Sequence, residues 1–365
     1  MGWCTTFDLD RFVAAAGGYL RSRAAENTLL LSAAQAARAP QAPQASLAGW
    51  RTRVAGQQAG AADPGSLYGW WEPPDGGGPR GAFVHDPAAP LLISGKAPEM
   101  GAALAATLAR MGRQVFGVDA PTEVADAFAA AWSQRAGTTV RAHRNCRVYR
   151  LAGVPQGVEL PGPAGRLRCA TAEDRALLAD WLTAFAAEAA ERIGSASDMA
   201  DDLISYGGAV FWEVPQRPGR RRDAAHYLPI PHHRDPAQLG EPVHQPMALA
   251  TLTRPVAGIV RISMLYTPPE RRHSGYATAL TLAASRAVLS GTGPDAASGR
   301  VSEVVMITDK NRPDRWGARF GYQLVGERAV LRFGPVTGPI PRARPTGAMP
   351  RLPTGPLPRL PHQRR

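Results

Sequence analysis

The segment from Gly258 to Leu289 contains the residues whose types and spacing are best suited to chemistry. It reads GIVRISMLYTPPERRHSGYATALTLAASRAVL. An apolar run ends at Tyr266, a turn with two prolines follows, and Arg272 and Gly275 precede a run with apolar residues at helical spacing. A strand, a glycine-containing loop and a helix N-terminus bring backbone N–H groups together, and the helix dipole favours negative charge there. The sequence therefore predicts an anion site, at which Gly275 allows close backbone approach.

The pattern R-x-x-G-x-A, from Arg272 to Ala277, resembles the acyl-CoA pyrophosphate loop of the GNAT (GCN5-related) N-acetyltransferase superfamily. The run Leu-Tyr-Thr-Pro-Pro-Glu before it resembles the bulged strand and turn that precede the loop in that family. The resemblance continues through a strand, a helix and a last strand at 303–333, with these recognisable points: Thr308, Asp309, Asn311 and Phe320-Gly321-Tyr322. It covers residues 166–333 apart from an insertion.

This resemblance implies an α+β fold with a mixed, mostly antiparallel sheet flanked by helices. The sheet would splay at the bulged strand, and acetyl-CoA or another short acyl-CoA would lie in the split as co-substrate, without a metal. Backbone groups of Leu265, Tyr266 and Thr267 would bond the pantetheine arm, and Asn311 would lie along it. The pyrophosphate would be held by the loop residues Arg271, Arg272, His273, Ser274, Gly275, Tyr276 and Ala277.

The activity implied is acyl transfer from CoA to a primary amine, most naturally that of a small molecule. A protein lysine or N-terminal amine is the alternative acceptor. The amine must lose a proton, and Glu213 is the candidate base, with Glu303 and a histidine of the insertion as alternatives. The family's usual tyrosine, which protonates the leaving thiolate, falls on Gly317, with Trp316 beside it. A non-catalytic protein that binds acyl-CoA therefore remains an open alternative.

Pattern and composition divide the chain into four parts. Residues 1–153 read as a degenerate copy of the same fold without the loop motif, 154–165 as a Pro/Gly-rich linker and 166–334 as the catalytic domain. Predicted helices are 8–38, 98–111, 121–136, 172–193, 198–206, 275–290 and 313–320. Predicted strands are 67–72, 81–85, 90–94, 115–118, 138–151, 208–214, 247–253, 257–266, 302–308 and 322–333.

Two segments have unusual compositions. The insertion 215–246 holds seven prolines and four histidines between two strand-like runs, so it reads as a long loop in a hairpin. Its histidine spacing fits no common zinc pattern, so no metal is expected. Residues 335–365 hold nine prolines, six arginines and no acid, which predicts a disordered tail.

Charge and cysteine usage bear on partners and compartment. The 365 residues carry a formal net charge of +12, but almost all basic residues are arginines, which indicates the codon bias of a high-GC bacterium. Nucleic acid is therefore not an expected partner, although the tail leaves that reading open. Three cysteines without metal spacing, no signal-like N-terminus and no long apolar run predict a cytoplasmic bacterial protein with no membrane partner. The oligomeric state stays open.

Overall fold

The computed structural model describes residues 2–38, 65–153, 164–189, 193–215, 244–293, 300–311, 317–318 and 320–335. Most of the predicted linker, insertion and tail, and also Trp316, lie outside these residues.

The N-terminal half begins with a strand, two helices and three further strands. Their bounds are β1 Gly2–Thr6, α1 Leu9–Ser22, α2 Thr28–Arg38, β2 Leu67–Glu72, β3 Gly81–His85 and β4 Leu91–Ser94. Two more helices then alternate with the last two strands of this half. Their order is α3 Pro98–Arg110, β5 Gly117–Pro121, α4 Thr122–Ala136 and β6 Thr138–Leu151.

The C-terminal half follows the same order. It starts with β7 Arg166–Cys169, a 3₁₀ turn Ala172–Asp174, α5 Arg175–Glu188, α6 Ala196–Ser205, β8 Ala209–Pro215, β9 His244–Leu252 and β10 Ile259–Tyr266. It continues with α7 Tyr276–Leu289, β11 Glu303–Asp309 and β12 Gln323–Pro335.

All twelve strands form one sheet, and its order repeats about its centre. The order is β1-β2-β3-β4-β5-β12-β6-β11-β10-β9-β8-β7. A pseudo-two-fold between the antiparallel neighbours β12 and β6 exchanges β1 with β7, β2 with β8, and so on to β5 with β11. In each half the fourth and fifth strands are parallel, and the other pairs are antiparallel. Each half also receives one strand from the other, because β12 lies between β5 and β6, and β6 lies between β12 and β11.

The helices cover both faces of the sheet. On one face α3 and α4 pack on the N-terminal strands and α7 on the C-terminal strands, with Phe128 and Leu280 fully buried. On the other face α1 and α2 cover the N-terminal strands and α5 and α6 the C-terminal ones, with Phe12 and Phe211 in the cores. Burying such a side chain contributes about 2 kcal/mol. We call these the α7 face and the α5 face.

The sequence prediction of an α+β, mostly antiparallel fold is confirmed, with corrections at three places. The single helix predicted at 8–38 is two helices, broken at 23–27, where Asn27 Nδ2 donates to the Leu20 carbonyl at 3.2 Å. The edge strands β1 and β7 were missed, because strands of five and four residues give little alternation to detect. In the described part of the chain no helix combines the length and the apolar character that a bilayer crossing requires.

Candidate functional site

The parallel strands β10 and β11 separate halfway along their length. Their pairing runs from Ile259 opposite Glu303 to Ile262 opposite Met306, yet β10 continues to Tyr266 and β11 to Asp309. The register between β10 and β9 shifts between Ile262 and Met264, which is a bulge at the point of separation. Beyond the bulge, the backbone of β10 on the β11 side is no longer paired with β11, so its polar groups are available to a ligand.

The bulge also changes which residues of β10 point to each face. Before it, Val260 and Ile262 pack in the core of the α7 face, while Arg261 lies on the α5 face. After it, Leu265 packs on the α7 side, and Met264 and Tyr266 belong to the core under α5 and α6. Ser263 is the extra residue, and its hydroxyl lies 3.0 Å from that of Thr251.

The loop after β10 leads into α7 with the geometry of an anion site. Gly275 precedes the helix in the left-handed conformation, with φ of 82°. The first intrahelical hydrogen bond runs from the Ala279 N–H to the Gly275 carbonyl at 3.0 Å, so the first amides of the helix have no acceptor within it. The first turn holds no acidic residue. These amides and the helix dipole together favour a bound anion.

Both arginines of the loop contact the protein. The Arg272 guanidinium donates to both carboxylate oxygens of Glu188, at 2.6 and 2.7 Å, and to the Thr267 carbonyl at 2.9 Å. Arg271 bonds the Pro246 carbonyl and lies 3.1 Å from the Met247 sulfur. Because both side chains hold the loop against α5 and β9, the backbone amides are the first candidates for contact with an anion. Phosphate binding by their side chains stays a prediction.

The other predicted cofactor residues fall around the split in different environments. Tyr266 is buried edge-on against Trp181, 5.8 Å between ring centroids, and burial raises its pKa. His273 and Ser274 are exposed in the loop, and His273 has a positive φ of 63°. Asn311 follows the end of β11 across the split, and its N–H donates to Asp309 Oδ1 at 2.8 Å.

Glu213, the predicted base, lies elsewhere. It is 3% exposed on β8 and accepts hydrogen bonds from Arg168 at 2.7 Å and Arg166 at 3.3 Å. Arg168 in turn holds Asp174 with two bonds of 2.7 and 2.8 Å. Burial opposes ionisation of Asp174, but the bonds from Arg168 and Thr171 outweigh it and lower the pKa of that carboxyl. This network at the outer edge of the sheet favours a structural role for Glu213, and its role as base stays a prediction.

A pocket of about 140 Å³ opens on the α5 face beside the split. It lies above the centre of the sheet, where the two halves meet. Its described lining consists of two helix residues and nine strand residues: Leu29, Phe185, Asp119, Arg144, Cys146, Arg261, Ser263, Ile307, Asp309, Arg328 and Val330.

Three of the five charged residues that line this pocket are almost fully buried: Asp119, Arg261 and Arg328. Arg328 donates to Asp119 Oδ1 at 2.7 Å and to its carbonyl at 3.0 Å, and both side chains are 4% exposed. Arg261 is 5% exposed. Burial lowers the pKa of Arg261 to about 10, against the attraction of Asp119, so the guanidinium keeps its charge at neutral pH.

Sequence reasoning missed this pocket almost entirely. Arg261 gave one signal, because it interrupts the apolar run GIVRISM and a charge in a buried strand needs a partner or a ligand. Asp119, Arg144 and Arg328 gave none, since they are far apart in the chain and meet only through the exchange of β6 and β12.

Gly317 is buried where the sequence analysis noted the missing tyrosine. A Cβ at Gly317 would lie 3.5 Å from the Tyr322 Cβ and 3.6 Å from the Tyr149 ring. The Tyr322 hydroxyl is buried 2.7 Å from Ser285 Oγ, and burial raises its pKa. Tyr149, on β6, also lies next to Gly317, and unlike Tyr322 it is only partly buried. Among the described residues no group of His, Cys, Asp and Glu side chains could hold a metal.

Comparison with known proteins gave structural neighbours only. No family model and no curated protein matches the chain. It is similar to a GCN5-related N-acetyltransferase from Sphaerobacter thermophilus, at 13% identity and a TM-score of 0.43 over 73% of this chain and 79% of that one. It is similar to a GCN5-related N-acetyltransferase from Kribbella flavida, at 15% identity and 0.40 over 71% and 88%.

A third neighbour is a tandem GNAT protein from the clavulanic acid biosynthesis pathway, at 15% identity and a TM-score of 0.40 over 92% of this chain and 100% of that one. With identities of 13–15% and TM-scores of 0.40–0.43, these similarities do not identify the family or the activity of this chain. These neighbours are GCN5-related N-acetyltransferases, and one of them is a tandem protein.

Proposed function

We propose that this protein transfers an acetyl or other short acyl group from CoA to the primary amine of a small molecule. The observation that carries the proposal is the combination of the bulged split between β10 and β11 with the Gly275 loop at the start of α7. The split presents unpaired backbone, and the loop presents amides to a charged group. The R-x-x-G-x-A motif occupies this loop.

The co-substrate fits these groups by chemistry. The pyrophosphate is an anion suited to the amides from His273 to Ala277, since the Arg272 N–H donates to the Pro269 carbonyl at 3.3 Å. The pantetheine amides are suited to the backbone of Leu265, Tyr266 and Thr267. When bound, acyl-CoA supplies the thioester whose acyl group is transferred. The protein's part is to hold the thioester and the amine together, which turns a bimolecular step into a local one.

The amine side of the reaction is proposed for the pocket on the α5 face. The amine arrives protonated, and Asp309, which lines the pocket on β11, accepts its proton. The nitrogen then forms a bond to the thioester carbon, the carbon–sulfur bond breaks, and the nitrogen releases its second proton to solvent. The CoA thiolate takes a proton from solvent or from a nearby phenol such as Tyr149, which solvent then reprotonates. Backbone N–H groups of β10 stabilise the negative charge that develops on the carbonyl oxygen.

The size of the pocket favours a small acceptor over a protein side chain. A volume of about 140 Å³ is close to that of cavities that hold a molecule of roughly six heavy atoms. A protein amine remains the alternative acceptor, and a non-catalytic acyl-CoA binder remains the alternative activity.

The test is release of CoA thiol from acetyl-CoA in the presence of a panel of small amines, with calorimetry of CoA binding beside it. We expect binding and amine-dependent thiol release. Asp309→Asn should lower kcat about a hundredfold and leave CoA affinity unchanged. Binding without turnover for every amine, including a lysine peptide, would support the non-catalytic reading. Absence of CoA binding by the folded protein would overturn the proposal.

A further inference from the structure

We infer that the acceptor carries a carboxylate as well as an amine, and that Arg261 and Ser263 bind this carboxylate in the pocket on the α5 face. The inference rests on the proposed function, because it identifies the pocket as the acceptor site. It concerns the chemical class of the acceptor, which neither the split nor the loop determines.

The first argument comes from the symmetry of the lining. Asp119 on β5 and Asp309 on β11 come from strands that the pseudo-two-fold exchanges, and so do Arg328 on β12 and Arg144 on β6. Arg261 and Ser263 break this symmetry, since β4, the counterpart of β10, contributes no described residue to the lining. These two residues belong to the strand that carries the bulge and leads into the loop.

The second argument is the charge of the lining. The described residues supply three guanidinium groups and two carboxylates. One carboxylate, Asp119, already accepts a 2.7 Å bond from Arg328. A buried arginine on a pocket wall suits an anion, and a carboxylate matches the guanidinium fork with two parallel hydrogen bonds.

The third argument is that the two residues are held in place. The backbone N–H of Arg261 donates to the Thr253 hydroxyl at 3.0 Å. The Ser263 hydroxyl lies 3.0 Å from the Thr251 hydroxyl and 3.3 Å from the Thr251 carbonyl, and the Thr251 side chain is fully buried. These contacts hold the Ser263 side chain and the backbone of Arg261, so less conformational entropy remains to be lost when an anion binds beside them.

This placement also orients the acceptor. With its carboxylate at Arg261 on β10, the amine of a short amino acid extends across the split toward Asp309 on β11. This orientation points the amine toward the carboxylate that is proposed to take its proton and that lines the same pocket. A small amino acid, with six or seven heavy atoms, matches a pocket of about 140 Å³.

The experiment uses the full chain and matched pairs of acceptors. Each pair joins an amino acid with its amide: alanine with alaninamide, and γ-aminobutyrate with γ-aminobutyramide. We expect kcat/KM to be at least about tenfold higher for the acid of the better pair, the range of a hydrogen-bonded charge. Arg261→Gln should reduce that ratio to about one and leave the affinity for CoA unchanged. Arg261→Lys should restore part of it.

Two controls separate the possible failures. Arg144→Gln removes a guanidinium from the same lining and should retain most of the preference for the acid. Calorimetry of the wild-type protein with γ-aminobutyrate and its amide, without CoA, measures the carboxylate preference independently of turnover and of whether the Arg261 variants fold.

The outcomes are distinguishable. Equal use and equal binding of acids and amides, with CoA bound and amines acylated, would overturn this inference and leave the proposed function standing. A preference for acids that survives in folded Arg261→Gln would overturn the assignment of Arg261. Absence of CoA binding would overturn the proposed function, and the acid preference in calorimetry would then decide this inference by itself.

Discussion

Three residues, 95–97, join β4 to α3 in the N-terminal half, whereas nine residues, 267–275, join β10 to α7 in the C-terminal half. The short connection places Pro98 in the first turn of α3, without an N–H to donate, and adds the negative charge of Glu99. The longer one has the left-handed Gly275 before α7 and no acid in the first turn. One helix start therefore disfavours an anion and the other favours it, although the strand order of the two halves is the same.

The bulge distinguishes the halves in the same way. The register of β3 with β4 is continuous from Ala82 opposite Ser94 to Val84 opposite Leu92. The register of β9 with β10 shifts at Ser263. Repetition of a fold thus preserves what the core requires, which is strand order and helix packing. Among the described residues the bulge and the loop occur in one copy only, so the core does not require them, which agrees with their proposed role in binding a ligand.

The largest expected effect tests whether the halves can be separated at all. A fragment of residues 164–335 lacks β6, which pairs with both β11 and β12, so its sheet would have a gap at the centre. We expect it to be unfolded by circular dichroism. The matched fragment 138–335 retains β6 and should fold and bind CoA. If the shorter fragment folds and binds CoA equally well, the exchanged strand is dispensable.

The second prediction places one carboxylate at the same point in each half. Gly275→Asp introduces a negative charge beside the proposed pyrophosphate and should weaken CoA binding about a hundredfold, the size of a partly screened charge repulsion at contact. Ala97→Asp at the N-terminus of α3 should leave CoA affinity unchanged and supply the side-chain cap that this helix lacks. Calorimetry of both variants decides. Unchanged CoA affinity in folded Gly275→Asp would show that the loop does not contact CoA.

The third prediction compares two glutamates on equivalent strands. Glu213→Ala on β8 leaves Arg166 and Arg168 without their carboxylate. It should lower the free energy of unfolding by about 2 kcal/mol, less than for a fully buried pair because both arginines are partly exposed. Glu72→Ala on β2, at an exposed position, removes the acceptor of the 2.7 Å bond from Trp70 Nε1 and should lower it by only about 1 kcal/mol. Denaturant unfolding measures both.

Turnover of the same glutamate variant separates structure from catalysis. If Glu213 is structural, kcat of the folded variant should stay within a few-fold of wild type. A fall of about a hundredfold or more, with unchanged CoA affinity, would instead support Glu213 as the base.

The fourth prediction concerns acid. The pKa of Asp174 is lowered in the folded state, so its ionised carboxylate stabilises the fold at any pH above the unfolded pKa of about 4. This stabilisation is lost as the pH falls through the pKa that Asp174 has in the folded protein. Wild type should therefore lose more stability than Asp174→Asn between pH 5 and the acid transition. Thermal melts at a series of pH values measure this. Parallel curves for the two proteins would show that the Arg168 network does not couple folding to protons.

The smallest effect is a difference in thiol reactivity. Cys4 and Cys169 lie on the equivalent edge strands β1 and β7, and Cys146 lies in the central pocket. Cys169 is exposed and should react first with a thiol reagent. Burial and the nearby Glu72 raise the pKa of Cys4. Burial raises the pKa of Cys146 to about 11, so roughly one Cys146 side chain in a thousand is a thiolate at pH 8. Cysteine-to-serine variants assign the rates, and rapid reaction of Cys146 in the folded protein would contradict the burial.

The sequence by itself determined the local elements with clear periods and the loop motif. The strand 138–151 was predicted within the bounds of β6, and α7 within one residue at each end, because alternation and helical spacing are local properties. The positions of Gly275 and of the motif were readable for the same reason, since a turn depends on a few neighbouring residues.

Only the tertiary structure decided which charges meet. The sequence suggested Glu213 as the base but could not show that Arg166 and Arg168 engage this side chain from the neighbouring strand. It could not place Asp119, Arg144 and Arg261 in one pocket either, because their meeting depends on the exchange of β6 and β12 between the halves. The physical reason is that periodicity encodes which face of an element is buried, whereas the partner of a buried charge is set by non-local strand order.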